Sequence, residues 1–154
     1  MSRFLAAILL SIAGVASAGE PASPLQHFRD PASPYPFSAA VRAGDTLYLS
    51  GQIGVDAQGK LPADFEAQAR QAMDNLVAAL SMAGLGMQHV VKCVVMIEDM
   101  ARWPEFNRVY LDYFPDRARL PARSAFGSSG LALGAALEVE CIAHYPQQGT
   151  QGMP

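Results

Sequence analysis

The chain has 154 residues, 51% of them hydrophobic, and carries 11 Lys and Arg against 14 Asp and Glu, a formal net charge of −3. That acidic balance, with no basic run, removes the electrostatic footing a nucleic-acid binder needs. One long apolar run occurs, at the extreme N-terminus, and it is too short to span a bilayer.

That run reads as a signal peptide over 1–18. Arg3 supplies the positive start, Phe4 to Ala13 the apolar stretch, and Ala16-Ser17-Ala18 a small-residue cleavage site, with the cut expected after Ala18. The expected product is periplasmic or secreted and has no membrane attachment once the signal is removed. Residues 19–36 hold five prolines and read as an extended lead-in. A single domain is expected over 37–146, followed by a flexible tail over 147–154.

Within the domain, Ser38 to Arg42 and Thr46 to Ile53 form a predicted hairpin around Gly44-Asp45. Leu47, Leu49 and Gly51 alternate with Tyr48, Ser50 and Gln52, so one face is apolar and the other able to hydrogen-bond. Pro62 and Asp64 open a helix in which Phe65, Ala69, Ala72, Met73, Leu76, Leu80 and Ala83 recur at helical spacing, with Gly84 placed to cap its end. Val90 to Ile97 reads as a central strand. A second helix fits Trp103 to Phe114, with Phe106, Tyr110, Tyr113 and Phe114 on one side, read as core rather than as a ligand cage. Strands at about Arg123 to Phe126 and at Leu137 to His144 complete the order ββαβαββ, an α+β domain with two helices on one face of a mixed sheet. In the last strand Val139, Cys141 and Ala143 face one way and Glu138, Glu140 and Ile142 the other. Helices over the Val139 face would leave the glutamates, Val94 and Met96 on an open surface, which favours a homo-oligomer with polar-lined clefts between subunits.

The two cysteines, Cys93 and Cys141, fall on strands. A bridge between them would close a loop of about fifty residues, and the alternative is a pair of small buried apolar residues. His27, His89 and His144 are scattered, so no metal site is expected. The Gly-rich run from Gly127 to Gly134 lacks the Gly-Lys-Ser/Thr ending of a phosphate loop. Ser50 and Ser124 have no His/Asp relay to make either a nucleophile.

Arg123 and Glu138 are the residues expected to carry chemistry, pointing to a small anionic substrate and a proton-transfer step. The arginine fork suits a carboxylate held by two bonds, and a glutamate on an apolar strand can hold or activate water. Ser50-Gly51-Gln52-Ile53, Pro62-Ala63-Asp64, Gln68-Ala69-Arg70-Gln71 with Asp74-Asn75, Pro121-Ala122-Arg123-Ser124 and Glu138-Val139-Glu140 together resemble the reactive-intermediate deaminase (RidA/YjgF) family, from about Pro36 to His144. The resemblance implies a chorismate-mutase-like fold, homotrimers with sites between subunits, and hydrolysis of 2-imino or 2-enamino acids, such as 2-iminopropanoate and 2-iminobutanoate, to 2-keto acids and ammonia without metal or organic cofactor. It implies Arg123 as the carboxylate grip, Glu138 as the residue orienting water, and Gly51 and Ser50 as the wall at the substrate nitrogen. Two positions depart from the family pattern. Phe37 stands where many members have a pocket tyrosine, and Ala125 where many have cysteine, leaving its backbone N–H as a carboxylate donor. The rival readings are a non-catalytic periplasmic binding protein for small keto or amino acids and a holdase-like interaction protein.

Overall fold

The structure, a computed structural model, describes residues 25–146. The expected signal peptide and the tail from residue 147 lie outside the described residues. Seven strands and two α-helices follow in the order β1 (Gln26–Phe28), β2 (Ala40–Ala43), β3 (Thr46–Leu49), β4 (Gln52–Ile53), α1 (Phe65–Met82), β5 (Val90–Ile97), α2 (Trp103–Tyr113), β6 (Ala122–Gly127) and β7 (Leu137–His144). They form one mixed sheet in the order β1-β2-β3-β7-β5-β6, with β4 also paired to β7. Only β5 and β6, joined through α2, run parallel. This is the expected α+β arrangement, with two additions.

The first addition is β1, which lies inside the proline-rich lead-in and pairs with β2 through Gln26↔Arg42, His27↔Val41 and Phe28↔Ala40. Three residues of ladder are too short to leave a period-2 signal among prolines. The second is a break in the strand expected over 46–53. Tyr48 pairs with Ile142, but Gln52 pairs with Val139, so the register on β7 moves by one residue at Ser50-Gly51. One extra residue in one strand is a β-bulge, and it reverses which face the following side chains occupy.

Helix α1 begins where its sequence says. The Asp64 carboxylate accepts from the Ala67 N–H at 2.9 Å, satisfying a donor the first turn leaves orphaned. At the other end Gly84 takes φ +72°, a conformation that favours glycine. The apolar face of α1, Phe65, Ala69, Met73, Leu76 and Leu80, packs on Leu47, Val95, Leu137 and Val139 of the sheet, all of them buried. Phe106 and Val109 bring α2 into the same core. Burying side chains of this kind contributes roughly 1.5–3 kcal/mol each.

Along β7, Leu137, Val139, Cys141 and Ala143 are buried under the helices while Glu138, Glu140, Ile142 and His144 alternate on the other face. Cys93 and Cys141 sit directly opposite each other on β5 and β7 and are joined by a disulfide, their Cα atoms 4.1 Å apart. They are therefore both bridged and buried, and the two sequence alternatives coexist. On the open face Tyr48 and Phe126 are half-exposed, beside Val94, Met96 and Ile142. No helix among the described residues is long and apolar enough to cross a membrane.

Candidate active site

The bulge at Ser50-Gly51 shapes the site. A Cβ placed on Gly51 would meet the Glu138 carboxylate, with Cδ only 2.8 Å away, so glycine is required for the two to approach. Motif residues on α1 hold the backbone that follows. Asn75 Nδ2 donates to the carbonyls of Ile53 at 3.0 Å and Val55 at 2.9 Å. Gln68, a buried polar residue, donates to Pro62 O at 2.7 Å and accepts from the Ala136 N–H at 2.9 Å, which ties α1 to the approach of β7. Much of the motif set is thus scaffold for the pair Gly51 and Glu138.

These two residues line a cleft of about 400 Å³ together with Phe37, Tyr35, Met82 and Leu133. Burial, and secondarily the Glu140 carboxylate two residues along the strand, raise the Glu138 pKa above the ordinary glutamate value. A carboxylate so placed holds its proton more readily than a free one, which suits a group that must take and return a proton. Phe37 and Tyr35 stack with ring centroids 5.5 Å apart, so a tyrosine stands in the cleft beside the phenylalanine. Ser50 is adjacent, but its hydroxyl donates to Ser38 O at 2.7 Å and its N–H to Ala39 O at 3.0 Å, which gives it a structural task.

Arg123 lies elsewhere. In the β5 register it is opposite Cys93, whereas Glu138 is opposite Met96. Cys93 and Met96 are three residues apart, so Arg123 stands on the helix-covered face and Glu138 on the open one. A single chain therefore does not bring the two expected chemical residues together. Ala125 shares the Arg123 face and packs on the core. The cation that does line the Glu138 cleft is Arg29, and its guanidinium donates to Phe37 O at 3.1 Å and Ser33 O at 3.2 Å.

Helix α2 prepares Arg123 in detail. Its Nη2 donates to Asn107 Oδ1 at 2.7 Å, and its Cζ lies 4.4 Å from the ring centroids of both Trp103 and Tyr110. Two aromatic faces and one amide fix the guanidinium plane while leaving further N–H donors for a ligand. Burial lowers the Arg123 pKa, an effect partly offset by Tyr110, yet the group stays cationic at neutral pH. The Tyr110 hydroxyl is buried without a hydrogen-bond partner among the described residues, and burial pushes its pKa up to about 12. The aromatic side of α2 is thus core at Phe106 and a cradle at Trp103 and Tyr110. Sequence reasoning missed Trp103 and Asn107; their spacing of four puts them on one face of a helix, but which strand that face meets is set by the tertiary structure. No group of three or more His, Cys, Asp and Glu among the described residues is arranged to hold a metal ion.

The class is thus an α+β domain with both helices on one sheet face and a half-buried strand glutamate set against a bulge glycine in a cleft. The family model described as Endoribonuclease L-PSP matches residues 28–145, and the chain belongs to that family, RidA/YjgF. It is 39% identical over 115 residues to a mouse protein named 2-iminobutanoate/2-iminopropanoate deaminase, covering 73% of this chain and 84% of the relative. Among solved structures it resembles the E. coli YjgF gene product, with TM-score 0.72, 32% identity, and 79% of this chain and 99% of that one covered. It also resembles E. coli TdcF with bound serine, with TM-score 0.70, 32% identity, and 80% and 99% covered.

Proposed function

We propose that this chain hydrolyses small 2-imino or 2-enamino acids, such as 2-iminopropanoate or 2-iminobutanoate, to 2-keto acids and ammonia, at sites completed between copies of a homotrimer. The observation that carries this reading is the Gly51–Glu138 approach in a ligand-sized cleft. The similarity to a named deaminase supports the chemistry, and the bound serine in TdcF supports a small amino-acid-like ligand.

In this reading Arg123 of one copy, held by Trp103, Asn107 and Tyr110, grips the substrate carboxylate, with the Ala125 N–H as a second donor. Each charge-assisted bond contributes about 1.5–3 kcal/mol. Glu138 of another copy takes a proton from water as the oxygen adds to the C=N carbon. Glu138 returns that proton to the nitrogen to give the carbinolamine. It then relays the carbinolamine O–H proton to the nitrogen as the C–N bond breaks, so that ammonia leaves and the C=O bond of the keto acid forms. Gly51 leaves room at the reacting centre, and no external oxidant or reductant is needed. The open sheet face, with Tyr48, Val94, Met96 and Ile142, is the surface expected to be covered by the other copies.

We place the protein in the periplasm or outside the cell, a location that suits a bridged Cys93–Cys141 pair. An endoribonuclease activity, named in the description of the family model, finds no support in a net charge of −3 without a basic run. The test is ammonia release from 2-iminopropanoate generated in situ, with Glu138→Gln alongside. Acceleration by the wild type and its loss in the variant is the expected result. Binding of keto acids without acceleration would assign the chain to the binding-protein class instead.

A further inference from the structure

Four half-exposed or more exposed apolar side chains gather in the Glu138 cleft: Tyr35 at 42%, Phe37 at 48%, Met82 at 44% and Leu133 at 66% exposure. Such side chains are common singly on surfaces, but their convergence on one concavity is not. Leu133 is the more telling because its φ is +56°, the one positive φ of a residue other than glycine among the described residues. A leucine is disfavoured both in the left-handed region and in water, so two unfavourable features coincide at one residue of the cleft lining. The Tyr35–Phe37 part of the lining is held in place as well. Arg29 donates to Ser33 O and Phe37 O, clamping the loop that presents the Tyr35–Phe37 stack. In the single chain the cleft measures about 400 Å³, and its apolar lining extends beyond the Gly51–Glu138 pair.

Resting on the hydrolytic reading above, we propose that Tyr35, Phe37 and Leu133 form a side-chain subsite that selects 2-imino acids bearing an aromatic or branched aliphatic side chain over 2-iminopropanoate. The substrate is then the imine of a bulky apolar amino acid, whose side chain covers Leu133 and the face of the stack while its imine carbon lies toward Glu138.

Two measurements on the full-length mature protein test this separately from the hydrolytic reading. The first is the ratio of kcat/KM for 3-phenyl-2-iminopropanoate over 2-iminopropanoate, both generated in situ, for wild type, Leu133→Gly and Phe37→Ala. The second is calorimetric affinity for the corresponding keto acids, phenylpyruvate and pyruvate, which needs no turnover. A wild-type preference of about tenfold or more for the phenyl compounds in both measurements is expected, with the ratio falling several-fold in each variant. Leu133→Gly accepts the left-handed backbone, so its effect reports the lost side chain rather than misfolding. Preferential binding of phenylpyruvate without turnover of either imine would uphold the subsite and remove the hydrolytic assignment. Turnover of both imines with no preference, and equal keto-acid affinities, would overturn the subsite and leave hydrolysis standing.

Discussion

Arg123 and Glu138 occupy opposite faces of one sheet, because the strand between them in space, β5, meets the first at Cys93 and the second at Met96. An odd offset across a ladder reverses the side-chain face. If both act on one molecule, they come from different copies. This relationship turns an oligomer from a plausible state into a requirement of the proposed chemistry.

Mixing two inactive variants checks it. Arg123→Ala and Glu138→Gln are each expected to lose most of their activity, the first by tenfold to a hundredfold for each carboxylate bond removed. Dissociated together and reassembled at equal amounts, they should regain roughly a quarter of wild-type activity, since random mixing pairs an intact arginine with an intact glutamate at that frequency in a cyclic trimer. A mixture as inactive as its parts would place the complete site within one chain.

The acid limb of the rate profile should report Glu138. Its pKa is raised, so as pH falls through that value the carboxylate takes up a proton and stops acting as a base. The limb is therefore expected above the ordinary glutamate range, with activity lost toward acid. Glu140→Gln removes the like charge that contributes to the shift, and should move the limb to lower pH while the trimer persists by sedimentation. For stability the sign is reversed. Ionised Glu138 is disfavoured in the fold, so its cost appears as pH rises from the unfolded pKa through the folded one, and Glu138→Gln should be no less stable than wild type at neutral pH.

Gly51→Ala is expected to fold and to lose activity. The new Cβ needs the space of the Glu138 carboxyl group, whose Cδ lies at 2.8 Å from it, while the position itself is only half-buried. Unchanged melting with a large fall in kcat/KM would fit. Retained activity would show that the glutamate works from another position.

Asn107→Ala tests the cradle. The Arg123 guanidinium would keep both ring contacts but lose its 2.7 Å partner, so KM should rise several-fold with a smaller change in kcat. Arg123→Ala should be insensitive to the same change, because the amide acts through the arginine. A further loss in the double variant would give Asn107 an independent role.

Removing the Cys93–Cys141 bridge by Cys→Ala at both positions should lower unfolding stability by about 4 kcal/mol, the chain-entropy value for a closed loop of this length. Its separation of 48 residues encloses α2 and β6, so the bridge restrains a large part of the unfolded chain. Denaturant midpoints of the two proteins measure the difference. Equal midpoints would show that the bridge contributes nothing.

The sequence by itself determined the parts whose cause is local. Asp64 and Gly84 mark the ends of α1 because capping and the left-handed turn depend on nearby residues. The alternation on β7 separates Val139 from Glu138 because a strand has period two. The motif around Gly51, Arg123 and Glu138 indicated the family on residue identity alone. Other features needed the tertiary structure, because each is a relation between distant segments. Whether β1 forms depends on β2 being available to pair. The bulge at Ser50-Gly51 is visible only as a register change against β7, nearly ninety residues onward in the chain. The joining of Cys93 to Cys141 follows from their meeting across one ladder position, and the placement of Arg123 under α2, away from Glu138, follows from where β5 lies between β6 and β7. Propensity and periodicity act over a few residues, whereas register and facing are set by packing the whole sheet against its helices.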